Sequence, residues 1–472
     1  MKVKLSFIGF LMLFALVFSV CDFSNGDDNN NNNGNKDGSF YDPRALGLTT
    51  PVRGQGFEGP CALFAAVAAA EHLILLQSGI SFQISHEHLM FSIDFAYDLE
   101  LWTAAGVSAG VVRSFMVGGY GVVSEQDFPY RGTRGLPLPD NFHTVQRHLR
   151  MTGTGSVPGG LENHEAQKNA IKQYGGIVAH LAGTASYNNA AGSARPIVSW
   201  YLPNNPSSDA HFVLLVGWDD NYSKNNFGTP PVGDGAWLIK DPNGPNAGDG
   251  GYRWLSYYDA PLLTRANHAF FTSFKFLTPD EKIHSHGSNV TAQYGMGYYA
   301  HQTMYVANVF KINAQEANDY QINEVLFSGR DNYKYTIFLT QINTDETLPN
   351  IDSLPSFQTI NEWEQEDRAN VTIQTPITSS INGQWRSVEL DNPFIPQAGY
   401  YAVIIKAQNL TSERQGANFD LGINQGSSYI VTINPGESFR MRQGQPWQDL
   451  ITTSGGDSRG NYAINTVLQR KQ

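Results

Sequence analysis

Cysteine is nearly absent from this chain: 472 residues hold two, Cys21 and Cys61. Two thiols cannot form a disulfide framework, so the fold must stand on its core. Positive charge is scarce too. Lys and Arg number 31 against 43 Asp and Glu, a formal net charge of −12 with no basic cluster to offset it. Nucleic acid and anionic membrane surfaces reward a cationic excess, and neither is expected as a partner. No His, Cys or carboxylate cluster has metal-ligand spacing, so neither a metal nor an organic cofactor is implied. The uncharged apolar run at residues 5–20 has 16 residues and follows Lys2 and Lys4. That is short for a bilayer span and right for a signal-peptide core, so export is expected.

The length fits two domains, and 41% hydrophobic with 12% aromatic residues gives both a core to bury. Residues 1–20 read as the signal peptide. Its end, VFSVC at residues 17–21, resembles the lipobox of bacterial lipoproteins, with Val20 where a small residue is usual. The resemblance implies a diacylated Cys21 as the mature N-terminus. The stretch DFSNGDDNNNNNGNKDG behind it cannot offset the entropy of folding and reads as a tether, so residues 21–40 form lipid site and spacer. The expected location is the bacterial cell envelope, with the membrane as partner through the lipid. An ordinary signal peptide with an incidental cysteine would instead give a secreted protein. With lipid on Cys21, Cys61 has no disulfide partner, and a leftover thiol in an exported protein calls for a reason.

The segment CALFAAVAAAEHLILLQ at residues 61–77 has high helix propensity and follows Pro60. Cys61 therefore falls at a helix N-terminus, where the macrodipole favours thiolate. Further helices are expected at 110–118 and 161–174, with a turn-rich segment at 121–130. Strands follow at 176–181, 211–218, 236–240 and 252–257. Helices first and strands second predict an α+β domain over residues 41–276 whose two lobes face each other across a cleft. Residues 277–289 read as a polar linker. Beyond it, strands at 305–312, 324–328, 333–342, 371–375, 385–390, 400–406 and 429–433 predict an all-β, jelly-roll-like sandwich over residues 290–472.

The stretch QGFEGPC places Gln55 six residues ahead of Cys61. It closely resembles the nucleophile segment of papain-like cysteine peptidases of clan CA, which keep a Gln-Gly-x-x-Gly-x-Cys frame. The resemblance implies Cys61 as nucleophile, with the Gln55 side chain and the Cys61 N–H as oxyanion-hole donors. His211 lies 150 residues on, opening AHFVLLVGW. It resembles the family's histidine segment, which implies proton transfer between Cys61 and the leaving amine. The family's W-x-x-K-N-S-W-G frame reads WLIKDPNG here, with Asp241 at the Asn position and Asn243 at the second Trp position. Asp241 is the expected orienter of His211 because residues 237–240 fix the register; Asn243 is the alternative if the loop slips by two residues. Glu58 and Ala62 replace the usual Cys and Trp. Gly59, Ala105, Gly106 and Ala210 are expected to contact substrate.

The resemblance covers residues 41–276, including the D-x-R start at Asp42 and Arg44 and the FPY turn at residues 128–130. Residues 290–472 resemble the lectin-like β-sandwich of a bacterial branch of these peptidases, which implies a glycan or protein ligand there. The short tether leaves no room for an inhibitory propeptide of the usual kind. The implied function is an exported, lipid-anchored cysteine endopeptidase acting on protein or peptide substrates. Two rivals stay open: a binding or adhesion protein on a degenerate scaffold, and a Cys/His amidase or acyltransferase acting on cell-wall peptides.

Overall fold

The computed structural model describes residues 38–56, 59–97, 109–132, 137–142, 144–190, 197–206, 210–264, 267–278, 280–284, 303–329, 333–344, 351–366, 368–374, 384–410, 438–442, 447–449 and 464–471. The expected signal peptide, Cys21, nearly all of the tether, Glu58, Ala105, Gly106 and the strand expected at 429–433 lie outside the described residues.

The first half runs β1 (Phe40–Tyr41), α1 (Cys61–Ser78), α2 (His86–Tyr97), α3 (Ala109–Val117), β2 (Leu149–Pro158), α4 (His164–Tyr174), β3 (Ile177–Ala182) and α5 (Thr184–Ala190). It continues with β4 (Ser199–Trp200), β5 (Ala210–Asp219), β6 (Ala236–Lys240), β7 (Tyr252–Ser256), α6 (Ala260–Leu263) and β8 (Asn267–Phe276). Helix α1 is apolar on nearly every side, which suits a helix enclosed by protein. Thirteen of its residues, from Cys61 to Ile74, are buried. It packs on β5, β8 and α3, sharing a core with Leu89 and Ile93 of α2 and Leu214, Val216 and Leu238 of the sheet. It ends at Gly79, which takes the left-handed conformation (φ 71°) and returns its N–H to the Leu75 carbonyl.

The strands form one sheet in the order β2-β8-β3-β5-β6-β7-β4, with β1 also on β5. The expected division into early helices and late strands is therefore incomplete: β2 precedes α4 and pairs with β8 along its length. On the side away from α1 a second core gathers Tyr187, Trp200, Trp218, Trp237 and Leu255.

The second half begins within the expected linker. Residues β9 (Glu281–His284) form a strand, antiparallel to the last strand of the chain, β18 (Ile464–Arg470). Between them lie β10 (Thr303–Ile312), α7 (Ala314–Asp319), β11 (Tyr320–Gly329), β12 (Tyr333–Asn343), α8 (Phe357–Gln365), β13 (Val371–Gln374), β14 (Gln384–Phe394), β15 (Gly399–Asn409), β16 (Ser438–Arg442) and β17 (Gln448–Asp449). They pair as a six-stranded sheet, β13-β12-β15-β10-β16-β17, and a four-stranded sheet, β14-β11-β18-β9. The sheets enclose a core of Val306, Phe310, Ile322, Val325, Ile337, Tyr401 and Leu468. Helices α7 and α8 interrupt what reads in sequence as strand only.

The two halves share buried contacts. Leu326 of β11 and Val467 of β18 join the core around α1. Arg150 of β2 pairs with Glu324 of β11, both buried. Asn465 donates to the Gly118 carbonyl at 2.6 Å.

Candidate active site

Helix α1 starts at Cys61. Pro60 is its N-cap residue, and the Pro60 carbonyl accepts the first helical hydrogen bond from the Phe64 N–H at 3.0 Å. No acidic residue lies in the first turn, so the positive end of the helix dipole faces the sulfur uncompensated. Gly59, half-buried, has its carbonyl 3.9 Å from Cys61 Sγ.

His211 is the second residue of β5 and Asp241 follows the last residue of β6. These strands are antiparallel, with Leu214 opposite Lys240, so the start of one meets the end of the other. Residues 241 and 243 both fall on the His211 side by the alternation of a strand, which is why sequence spacing alone leaves both open. A turn separates them. Asp241 Oδ1 accepts the Asn243 N–H at 3.0 Å, an Asx-turn. The same oxygen accepts from His211 Nε2 at 3.0 Å and Asn243 Nδ2 at 2.8 Å. Asn243 is exposed, also donates to Thr184 Oγ1 at 3.1 Å, and stands 3.4 Å from His211 Nε2 on the outside of the pair. Ala210 is exposed beside His211 at the head of β5.

With Nε2 turned to Asp241, the other imidazole nitrogen is left for Cys61, and each side chain bears on the charge of the other. Burial pushes the Cys61 thiol up, but the His211 hydrogen bond and charge, with the N–H groups of Phe212 and Ala62, reverse this and leave it below its ordinary value. Burial pushes His211 down; Asp241 and Cys61 overcome it and raise the imidazolium to about 9. Asp241 is fully buried. Burial pushes its carboxyl up, yet His211, Arg253 and the Asn243 N–H hold it down at about 2. Such a set favours thiolate with imidazolium as a coupled pair.

Gln55 is buried on a segment zipped to the Asp241 turn. Its N–H donates to the Pro242 carbonyl at 2.8 Å, and Gly54 bridges Asn243. The Tyr130 hydroxyl, from the FPY turn, donates to the Gln55 carbonyl at 3.0 Å. Behind Pro242 a cavity is lined by the apolar Val52, Phe64 and Ala68 and by the polar Arg53, Glu71, His86, Lys240 and Asp241. There Lys240, pushed down to about 8 by burial, donates to the Thr50 carbonyl at 2.8 Å.

Two participants have no counterpart in the sequence reading. Arg253 of β7 donates through Nε to Asp241 Oδ2 at 2.8 Å, and its guanidinium lies 4.4 Å from the ring centre of Trp200, itself edge-on to His211 at 6.3 Å. The signal of Arg253 in sequence is slight: one charge inside the apolar strand YRWLS. Among the described residues no group of three or more His, Cys, Asp or Glu is placed to hold a metal ion.

The family model for the papain family cysteine protease matches residues 38–266. A cysteine protease of Blomia tropicalis is 26% identical over 223 residues, 46% of this chain and 60% of that protein. Cathepsin R of Mus musculus is 28% identical over 220 residues, again 46% of this chain and 60% of that protein. The chain thus spans about three fifths of the length of the curated relatives it matches. A structure of the cysteine protease and lectin-like domains of Cwp84, a surface layer associated protein of Clostridium difficile, superposes with a TM-score of 0.73 at 23% identity. It covers 92% of this chain and 89% of that one, both halves included, and the likeness is one of fold. By sequence match and fold, residues 38–266 are a papain-family cysteine protease domain, and the all-β sandwich that follows has the fold of the lectin-like domain in that structure.

Proposed function

We propose that this protein is a cysteine endopeptidase of the bacterial cell envelope, exported and anchored through lipid on Cys21. The observation that carries the reading is the hydrogen bond from His211 Nε2 to buried Asp241, with Cys61 at the N-terminus of α1 close enough to His211 for the charge of each to bear on the other. In the proposed reaction the Cys61 thiolate attacks the scissile carbonyl carbon, and the oxyanion is met by the Gln55 side chain and the Cys61 N–H. The His211 imidazolium protonates the leaving amine as the C–N bond breaks, giving an acyl-thioester. Water, deprotonated by the now neutral His211, attacks that thioester and releases the carboxylate and the thiolate. Asp241 keeps the imidazole oriented throughout. Gly59 and Ala210 flank the sulfur and the imidazole, where substrate backbone would lie; Ala105 and Gly106 are proposed to complete that surface. The sandwich is proposed to hold the enzyme near a glycan or protein ligand.

The test is hydrolysis of a peptide library and of denatured protein by wild type and Cys61→Ala, with peptidoglycan as a parallel substrate. Cleavage of peptides and denatured protein by wild type alone is expected. Binding without cleavage would favour a degenerate binding protein, and cleavage confined to peptidoglycan an amidase.

A further inference from the structure

We propose that Arg253 is a positioning residue for His211, acting through Asp241: its guanidinium fixes the carboxylate and balances the charge that Asp241 adds where the family usually has a neutral amide. The inference rests on the reading of Cys61, His211 and Asp241 as the reacting set. Asp241 is held on both oxygens. Oδ1 takes His211 and both donors of Asn243, while Oδ2 takes Arg253 Nε at 2.8 Å. Arg253 is itself fixed by groups that do not involve Asp241, donating through Nη1 to the Ile197 carbonyl and stacking on buried Trp200. Its position is therefore set by the fold, and the carboxylate is aligned to it.

The other charges near the pair are engaged elsewhere or act on it from the far side. Cys61 of α1 faces His211. Lys240 of β6 turns to Thr50 and His72; Glu71 of α1 takes Arg53 and Thr50; His86 of α2 stacks on Phe64. Arg253 is thus the cation in ion-pair contact with Asp241 besides His211 among the described residues. A buried carboxylate without that cation would hold the imidazolium proton too firmly for transfer to a leaving amine. It would also become protonatable at a higher pH.

The experiment measures, on the folded full chain, the pH dependence of Cys61 alkylation by iodoacetamide and of peptide kcat/KM. Wild type, Arg253→Gln, Arg253→Lys, Asp241→Asn and the double variant Asp241→Asn/Arg253→Gln are compared. Arg253→Gln is expected to move both limbs of the profile to higher pH by about one unit and to lower the plateau. In the Asp241→Asn background the same change is expected to raise the plateau, because it removes a buried cation that has lost its partner. Arg253→Lys should keep the limbs near their wild-type positions. Should Arg253→Gln not fold, folding of the double variant together with those Arg253→Lys limbs supports the pairing, and its failure to fold overturns it. Unmoved limbs, or an equal loss in both backgrounds, would show Arg253 to be structural only. If wild-type Cys61 alkylates as an ordinary thiol and no peptide is cleaved, the reacting set itself is misassigned and the inference goes with it.

Discussion

Gly54 and Gly244 lie back to back beneath the site, so close that a Cβ on Gly244 would stand 3.0 Å from the Gly54 Cα. Gly244 also adopts φ +93°, a region that side chains avoid. Two segments distant in sequence, one carrying Gln55 and the other Asp241, are thereby held in contact. Gly244→Ala is expected to destabilise the fold by about 1–3 kcal/mol and to reduce turnover further by displacing Gln55. Urea unfolding beside kcat measures both; full turnover in a folded variant would mean that this contact does not set the site.

Gln55→Ala removes one oxyanion donor and should lower kcat by about 10²-fold or more while Cys61 still reacts with iodoacetamide. Unchanged kcat would take Gln55 out of the mechanism.

Asp241→Asn keeps an acceptor for His211 but loses the carboxylate charge, so activity should persist and the alkaline limb of kcat/KM should fall below the value of about 9 that Asp241 helps to sustain. Asp241→Ala should be far slower. Asn243→Ala, which removes a cover from the pair but not the acceptor, should lie near wild type. If Asn243→Ala is the crippled variant and Asp241→Ala is not, Asn243 is the orienter.

The same pair contributes to stability over a defined range. His211, raised from 6.5 to about 9, contributes fully below 6.5 and loses that contribution as pH rises through 9. Asp241, lowered from 3.8 to about 2, contributes above 3.8 and loses it as pH falls through 2. The stability difference between wild type and His211→Ala should therefore be largest between pH 3.8 and 6.5 and shrink at both extremes. Urea midpoints across pH give the answer, and a difference constant with pH would exclude the ion pair.

Arg150 and Glu324 join the two halves through a buried ion pair. Arg150→Ala leaves Glu324 buried without that cation and should cost about 3–5 kcal/mol, whereas Arg150→Met with Glu324→Met should recover much of it. Additive losses in the double variant would show that the two side chains do not act together.

The candidate site is legible in sequence where its signals are local. Gln55 and Cys61 stand six residues apart in one short segment, and His211 and Asp241 stand at ends of strands whose apolar runs are plain. Arg253 is hidden because its partner is set by sheet register, with Ile239 opposite it on β6. Strand β9 is hidden for the same reason: its partner lies at the other end of the chain, so residues 281–284 look like linker. Strand β2 is obscured by Gly153 and Gly155, which read as turn residues but are small because Thr272, Ser273 and Phe270 press on them. Helix α2 opens with HEH, whose polarity conceals that His86, Glu87 and His88 are all buried.

Anchoring is tested by metabolic labelling with a fatty acid. Label on wild type and none on Cys21→Ala is expected, since two or more acyl chains hold a protein stably at a membrane. Unlabelled wild type would leave a secreted enzyme.

Whether Cys61 is a His-activated nucleophile in a peptide-binding cleft is decided by intact-mass analysis after treatment with a thiol-directed peptidyl epoxide. One adduct per chain is expected, mapped to Cys61, formed slowly in His211→Ala and absent in Cys61→Ala. A folded wild-type protein that forms no adduct, or forms it no faster than His211→Ala, would contradict the assignment.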